Sequence, residues 1–221
     1  MTSWWPLFDL RIRTPRLALR HVREADLPTL VAGLPADLEL DPSLPSLGLA
    51  DPHLDRGTWI CREYWRSLGL WRPDDWCLRL LIEMDGRAAG VQTLEGTDYD
   101  ALRTVDTASY LQPWARGRGV GKEMRTAVLA LAFGPLRARW AITSAWVDNH
   151  ASLGVSRALG YRDNGLSLLA YQGRVGTQAH LRLDRRDWRA SGLGRDVVIE
   201  GFDACRPWFG VPSADPDDVE S

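Results

Sequence analysis

Three alternating glycines, Gly117, Gly119 and Gly121, set in the stretch Arg116-Gly117-Arg118-Gly119-Val120-Gly121-Lys122, constrain this chain more than any other feature. The residues before them, Val105 to Leu111, alternate and are rich in β-branched and aromatic side chains, which predicts a strand. Those after them place Val120, Met124, Val128 and Leu131 at helical spacing. The glycines therefore stand at a strand-to-helix turn. A helix that begins in glycine presents unpaired N–H groups without Cβ obstruction, and its dipole favours a phosphate there. Arg116, Arg118 and Lys122 add full positive charges.

Spacing narrows the identity of that phosphate. A P-loop carries glycine five residues before its Gly-Lys pair and Ser or Thr after the lysine, but those positions hold Arg116 and Glu123. A dinucleotide fingerprint, G-x-G-x-x-G, places its third glycine one residue later than this chain does. Neither ATP nor NAD is favoured. Arg-x-x-Gly-x-Gly instead resembles the pyrophosphate loop Gln/Arg-x-x-Gly-x-Gly/Ala of the GCN5-related N-acetyltransferase superfamily. Taken alone, the hexapeptide reads by default as a glycine-rich turn with solvating arginines, so its context decides.

At 221 residues, 45% hydrophobic and 25% charged, the chain is long enough for one sizeable core. A net charge of −2 gives no general attraction to nucleic acid or to acidic membranes, so any acidic ligand must be met by local charge. Cys61, Cys77 and Cys205 lack CxxC or His spacing, which suggests neither a disulfide framework nor a metal site. No segment approaches the roughly 18 apolar residues of a membrane span, and the first ten residues do not read as a signal peptide. A cytoplasmic location is expected. Lys122 is the chain's single lysine.

In chain order, residues 1–13 form an apolar N-terminal extension, expected to pack on the domain or on a partner chain. Thr14 to Arg20 reads as a half-buried first strand, with a helix from Glu24 to about Leu34. Residues 35–52 are rich in Pro, Leu, Asp and Ser and predict a loop, either a rim of the acceptor site or a plain connection. Residues 54–68 predict an amphipathic helix, in which Trp59 and Trp65 wall a cleft or join the core. Residues 76–83 and 88–95 are strands two and three, joined by the hairpin signal Asp85-Gly86. Residues 96–103 read as a polar loop, 104–112 as the fourth strand, and the helix after the glycines runs to about Phe133. Residues 139–147 form a fifth strand and 151–159 a second amphipathic helix, closed by Gly160. Residues 166–171 and 178–183 make a final hairpin around Gly173 and Gly176. From 189 to 221 lies a C-terminal extension, with an apolar cluster from Val197 to Phe209 and a frayed last ten residues.

Two further segments carry the resemblance, which covers roughly residues 14–188. Val147-Asp148-Asn149-His150-Ala151-Ser152, then Leu159-Gly160-Tyr161, is similar to the superfamily's Asn-x-x-Ser … Leu-Gly-Phe/Tyr. The opening Thr14-Pro15-Arg16-Leu17-Ala18-Leu19-Arg20 resembles its Rim-type branch of ribosomal-protein N-acetyltransferases. The resemblance implies an α+β fold: a mostly antiparallel sheet of six to seven strands, splayed between the fourth and fifth, flanked by helices. The pantetheine arm of an acyl-CoA would lie in the splay like an added strand, aided by a bulge near Leu111 and Gln112.

The same resemblance assigns roles. The N–H groups of Arg116, Gly117, Arg118, Gly119, Val120, Gly121 and Lys122 would hold the pyrophosphate. The main chain at Tyr110 and Leu111 would hold pantetheine and polarise the thioester, while Asn149 and Ser152 fasten the far side of the arm. Asn149 is also a natural N-cap for the helix that follows. The family's Glu base, ten residues before the loop's Gln/Arg, falls at Asp106, which is one methylene shorter and is expected to act through water; a surface aspartate at a strand start is the competing reading. Its tyrosine acid, four residues before the Gly of Leu-Gly-Phe/Tyr, falls at Ser156, a poor acid.

The expectation is an acyl-CoA-dependent N-acyltransferase acting on a primary amine of a protein or small molecule. Trp5-Pro6-Leu7-Phe8-Asp9-Leu10 and the late Gly201-Phe202-Asp203-Ala204-Cys205-Arg206-Pro207 also resemble an actinobacterial subgroup, which leaves acetyl-CoA and succinyl-CoA both open as donors. A homodimer is compatible with the apolar termini. The alternative is a non-catalytic acyl-CoA-binding or sensing module, favoured by the short base Asp106 and the missing tyrosine.

Overall fold

The computed structural model describes residues 4–38, 44–171 and 174–211. Its elements follow in order. Strands β1 (Arg11–Arg13) and β2 (Leu17–His21) precede helices α1 (Leu27–Ala32) and α2 (Pro52–Gly69). The hairpin β3 (Trp76–Met84) and β4 (Arg87–Gly96) leads through the short helix α3 (Tyr99–Leu102) into β5 (Thr104–Leu111). Then come α4 (Val120–Phe133), β6 (Trp140–Trp146), α5 (His150–Ala158), β7 (Arg162–Tyr171), β8 (Arg174–Asp184), α6 (Arg185–Ser191), β9 (Val198–Glu200) and α7 (Phe202–Cys205).

Among the described residues nine strands form one sheet in the order β7-β8-β6-β5-β4-β3-β2-β1-β9. Every pairing is antiparallel except β5 with β6, so the predicted fourth and fifth strands are β5 and β6. The count exceeds the expected six to seven because the flanking segments supply β1 and β9, which pair with each other at the sheet's edge. Three-residue strands are too short to show an alternation. The N-terminal extension packs inward: Leu7, Leu10 and Ile12 are fully buried, and Trp5 stacks edge-on against Trp71 and Trp208. Phe202 and Phe209 join the same core. The residues expected to fray, 212–221, lie outside the described residues, as do part of the loop at 35–52 and Gly173.

Local chemistry explains most boundaries. Asp51 caps α2, its side chain accepting from the N–H groups of His53 and Leu54, with Pro52 in the first turn. Asp85 and Gly86 both take positive φ, 53° and 73°, as the tight hairpin between β3 and β4 requires. The segment read as a polar loop at 96–103 instead contains α3, because Tyr99 turns into the core and donates to the Leu136 carbonyl at 2.9 Å. Gly176 belongs to β8, paired with Leu169, and not to a turn. Trp59 is buried, whereas Trp65 is half exposed.

Two hydrophobic clusters lie on opposite faces of the sheet. The larger packs α4 against Leu78, Leu94, Val105, Ala141 and Leu183. The smaller joins α1 and α2 to Leu81 and Val91, with Tyr110 against it. Strand alternation puts Val105 and Thr107 on the first face and Asp106, Ala108 and Tyr110 on the second.

Candidate active site

β5 and β6 pair over only three steps, Thr104 with Trp140, Val105 with Ala141 and Asp106 with Ile142, and then part. β5 continues to Leu111 still paired with β4, while β6 continues to Trp146 paired with β8. Two threonines bridge the fork's apex: Thr143 Oγ1 donates to the Thr107 carbonyl at 2.9 Å, and Thr107 Oγ1 to the Ile142 carbonyl at 3.3 Å. Beyond it Ala108, Ser109 and Ser144 are exposed although they lie within strands, so the gap opens to solvent. Main-chain groups facing such a gap lack a strand partner and can accept an extended ligand.

The predicted bulge is displaced. The register of β4 with β5 runs unbroken from Gly90–Leu111 to Glu95–Asp106, and the irregularity falls between β3 and β4 at Ile82/Glu83. Gly90 takes φ 155°, and a Cβ there would stand 2.2 Å from the Tyr110 carbonyl oxygen. Glycine in the neighbouring strand absorbs the distortion that the sequence reading gave to β5.

At the fork's open end stands the glycine loop. Gly117 and Gly119 take φ 71° and 77°. Val120 is fully buried and anchors α4, whose first backbone bond runs from Glu123 N–H to the Gly119 carbonyl at 3.2 Å. The amides of Val120, Gly121 and Lys122 precede that bond, at the positive end of the helix dipole. Gly121 lets this helix end approach its neighbours: a Cβ would meet Val155 of α5 at 3.5 Å and Leu111 of β5 at 3.9 Å. On the α5 side, Asn149 accepts from Ser152 N–H at 3.1 Å, the N-cap anticipated as its structural role.

Arg116 serves differently from the other loop cations. Its guanidinium forms a two-pronged ion pair with Asp37, at 2.7 and 2.9 Å, and donates to the Leu111 carbonyl at 3.0 Å. It ties the segment after α1 to the fork's lip, so its side chain is already engaged, as is the Leu111 carbonyl. Arg118 and Lys122 are exposed.

Asp106 sits at the apex, opposite Glu95 of β4, which in turn faces Cys77 of β3. The Asp106 carboxylate accepts from Thr107 N–H at 2.6 Å. Burial raises its pKa above the ordinary carboxylate value, against the opposing pull of that N–H, Arg125 and His180. Glu95 is raised by burial and then by the Asp106 charge. Beside them Arg79 donates to Glu63 at 2.8 Å, a buried ion pair. Asp106 and Glu95 are both partly buried, so two carboxyls share one partly desolvated recess. Sequence reasoning missed Glu95, because only the strand register places it there.

Ser156 is buried, and its hydroxyl donates to the Ser152 carbonyl one turn back at 3.1 Å. Helical spacing located the residue but not its direction, and at 1% exposure it has almost no access to solvent. A second missed residue is Arg125, on α4 and 3% exposed. Its guanidinium makes long contacts to Thr143 Oγ1, 3.4 Å, and Ser109 Oγ, 3.5 Å, on the two walls of the fork, and among the described residues its Nε has no hydrogen-bond partner. It forms no ion pair among the described residues, an uncommon state for a buried charge. Among the described residues, no group of His, Cys, Asp and Glu could hold a metal, and no helix is long and apolar enough to cross a membrane.

The profile of the acetyltransferase (GNAT) domain family matches residues 16–162. Among solved structures, RimJ of Mycobacterium smegmatis in complex with CoA-disulfide superposes with a TM-score of 0.66 at 18% identity, covering 85% of this chain and 97% of that one. A putative ribosomal-protein-serine acetyltransferase from Vibrio cholerae gives 0.62 at 15% identity, over 80% and 98%. A spermidine N-acetyltransferase SpeG chimera from Vibrio cholerae and hSSAT gives 0.61 at 14% identity, over 79% and 98%. At these identities the likeness is one of fold.

Proposed function

Because this chain belongs to the GNAT acetyltransferase family and is an acyl-CoA-dependent N-acyltransferase, we propose that it acylates a primary amine by direct attack in the fork between β5 and β6. The observation that carries this reading is the fork itself, open beyond Asp106 and Ile142 and closed at its lip by the glycine loop. The amides at the start of α4 hold the pyrophosphate, and the pantetheine arm lies along β5 between Ala108 and Leu111. Asn149 and Ser152 flank the arm from α5.

The amine nitrogen attacks the thioester carbonyl, its proton passing to Asp106 directly or through one water. The tetrahedral oxyanion collapses, the carbon–sulfur bond breaks, and CoA leaves as a thiolate. A typical thiol pKa of about 8.5 makes a thiolate a tolerable leaving group, and solvent water in the open fork supplies its proton. Ser156 has no part in this step. Glu95 adds a second carboxyl to the recess, which holds the amine as an ammonium ion until it loses one proton to solvent water and its nitrogen can attack.

Acetyl is the donor group the family implies. Arg125 supports a second reading, in which the acyl group is succinyl: its buried guanidinium between the fork's walls is the cation a succinyl carboxylate needs. The test is mass spectrometry of acyl transfer from acetyl-CoA and from succinyl-CoA to polyamines, lysine peptides and peptide N-termini. Arg125→Met should lower succinyl transfer at least tenfold more than acetyl transfer. CoA binding without turnover across that panel would favour a sensing module, and equal loss of both donors would remove the succinyl reading.

A further inference from the structure

Glu123 lies on the first turn of α4, one residue past the lysine of the glycine loop, and its carboxylate is 16% exposed. Three groups from the turn between β1 and β2 converge on it. Thr14 Oγ1 donates at 2.6 Å, the Arg16 backbone N–H at 3.0 Å and Arg16 Nε at 2.6 Å. The same guanidinium sends Nη1 to the carbonyl of Arg118 at 3.0 Å. Its Nη2 stands 3.4 Å from where a Cβ on Gly119 would project. One arginine, 102 residues distant from Arg118 in sequence, thus fastens the outside of the loop.

Two physical consequences follow from this contact. A lone carboxylate within one turn of the loop amides repels a pyrophosphate, and Arg16 cancels that charge locally. Burial pushes the Glu123 carboxyl upward, but the bonds from Thr14 and Arg16 outweigh it, so the group stays ionised and the pair persists at neutral pH. Second, a carbonyl turned into the loop would oppose an anion. Arg16 holds the Arg118 carbonyl on the outer side.

We propose that Arg16 and Glu123 are a positioning pair for the donor, which shapes the glycine loop from outside and sets its affinity for the CoA pyrophosphate. This rests on the reading that the loop binds that group. Neither residue touches the reacting atoms, so the pair acts through the loop amides.

Calorimetric titration of the full chain with CoA, and with pantetheine, which lacks the pyrophosphate, tests it. Arg16→Ala should weaken CoA about tenfold, as expected for loss of a charge-assisted contact that leaves its partner charge behind. Pantetheine affinity should not change. Glu123→Gln should stay within about threefold of wild type, and adding it to Arg16→Ala should recover most of the loss, because no uncompensated charge remains. Arg16→Lys keeps the charge but not the fork that spans Glu123 and Arg118, and should fall between; it also serves if Arg16→Ala does not fold. Equal weakening of CoA and pantetheine, or Arg16→Ala and Arg16→Lys both within twofold of wild type for CoA, overturns the proposal alone. Absence of CoA binding by the wild-type chain would overturn the donor-site reading beneath it.

Discussion

The two faces of the central sheet are built on different terms. The α4 face is a large apolar core from Leu7 to Phe209, into which Arg125 of α4 carries a buried charge, and the glycine loop grows from its edge. The α1–α2 face has a core of eight buried residues among those described, and its remaining area holds Glu63, Arg79, Cys77, Glu95 and Asp106. One face supplies rigidity and the backbone of the proposed donor seat. The other gives up packing for charged side chains beside the proposed reacting centre. The difference teaches that truncation on the packed face should cost stability without touching the chemistry, whereas a change of charge on the other face should alter both.

The largest expected effect is on the charged face. Asp106→Asn should lower turnover at least about a hundredfold, the range for loss of a general base, while leaving CoA affinity unchanged. Its stability effect should have the opposite sign. A carboxyl whose pKa is raised by folding favours the fold when protonated, and that favour is lost as pH rises through the raised value. Thermal melts should therefore show the Asn variant more stable than wild type at neutral pH and converging with it in acid. The wild-type rate should fall on acidification through a pKa above the ordinary carboxylate range; an acid limb at or below that range contradicts the assignment.

On the apolar face, Leu129 of α4 is fully buried. Leu129→Ala should cost about 3 kcal/mol in denaturant melts, within the usual range for such truncations, with Asp106 chemistry intact in the fraction that folds. A smaller change sharpens the contrast within the recess itself. In Asp106→Asn the Glu95 carboxyl, relieved of a neighbouring charge, should titrate at lower pH by carbon-detected NMR than in wild type. Smallest of all is the surface link between the two sides. Asp37→Ala should cost at most about 1 kcal/mol, since Arg116 is 42% and Asp37 67% exposed.

The same contrast governs what could be read in the sequence. Backbone-defined features announce themselves locally: the strand, glycines and helix around Gly119, the Asp85-Gly86 hairpin and the Asn149 cap follow from periodicity and turn chemistry. The fork was expected only through the family resemblance that the loop and the Asn149 segment carry, since nothing in the residues of β5 and β6 themselves announces that they part. Side-chain constellations are not local. Glu95 meets Asp106 only through strand register, Arg16 meets Glu123 across 107 residues, and Arg125 reads as one more polar position on a helix. Counting located Ser156, but the hydroxyl's bond to its own helix is a matter of direction, which counting does not supply. The strands β1 and β9 were hidden by length, and α3 by its single turn.

Amide hydrogen exchange with and without CoA tests the central claim most directly, because it asks where the donor lies. Protection should rise at Gly119 to Lys122 and along Ala108 to Leu111, with no change at Thr126, Leu193 and Val197, which line the far part of a 540 Å³ cavity that begins at Gly119 and Lys122 on the outer flank of α4. Protection confined to Thr126, Leu193 and Val197, with Ala108 to Leu111 and the amides of Val120 and Gly121 unaffected, would contradict the account.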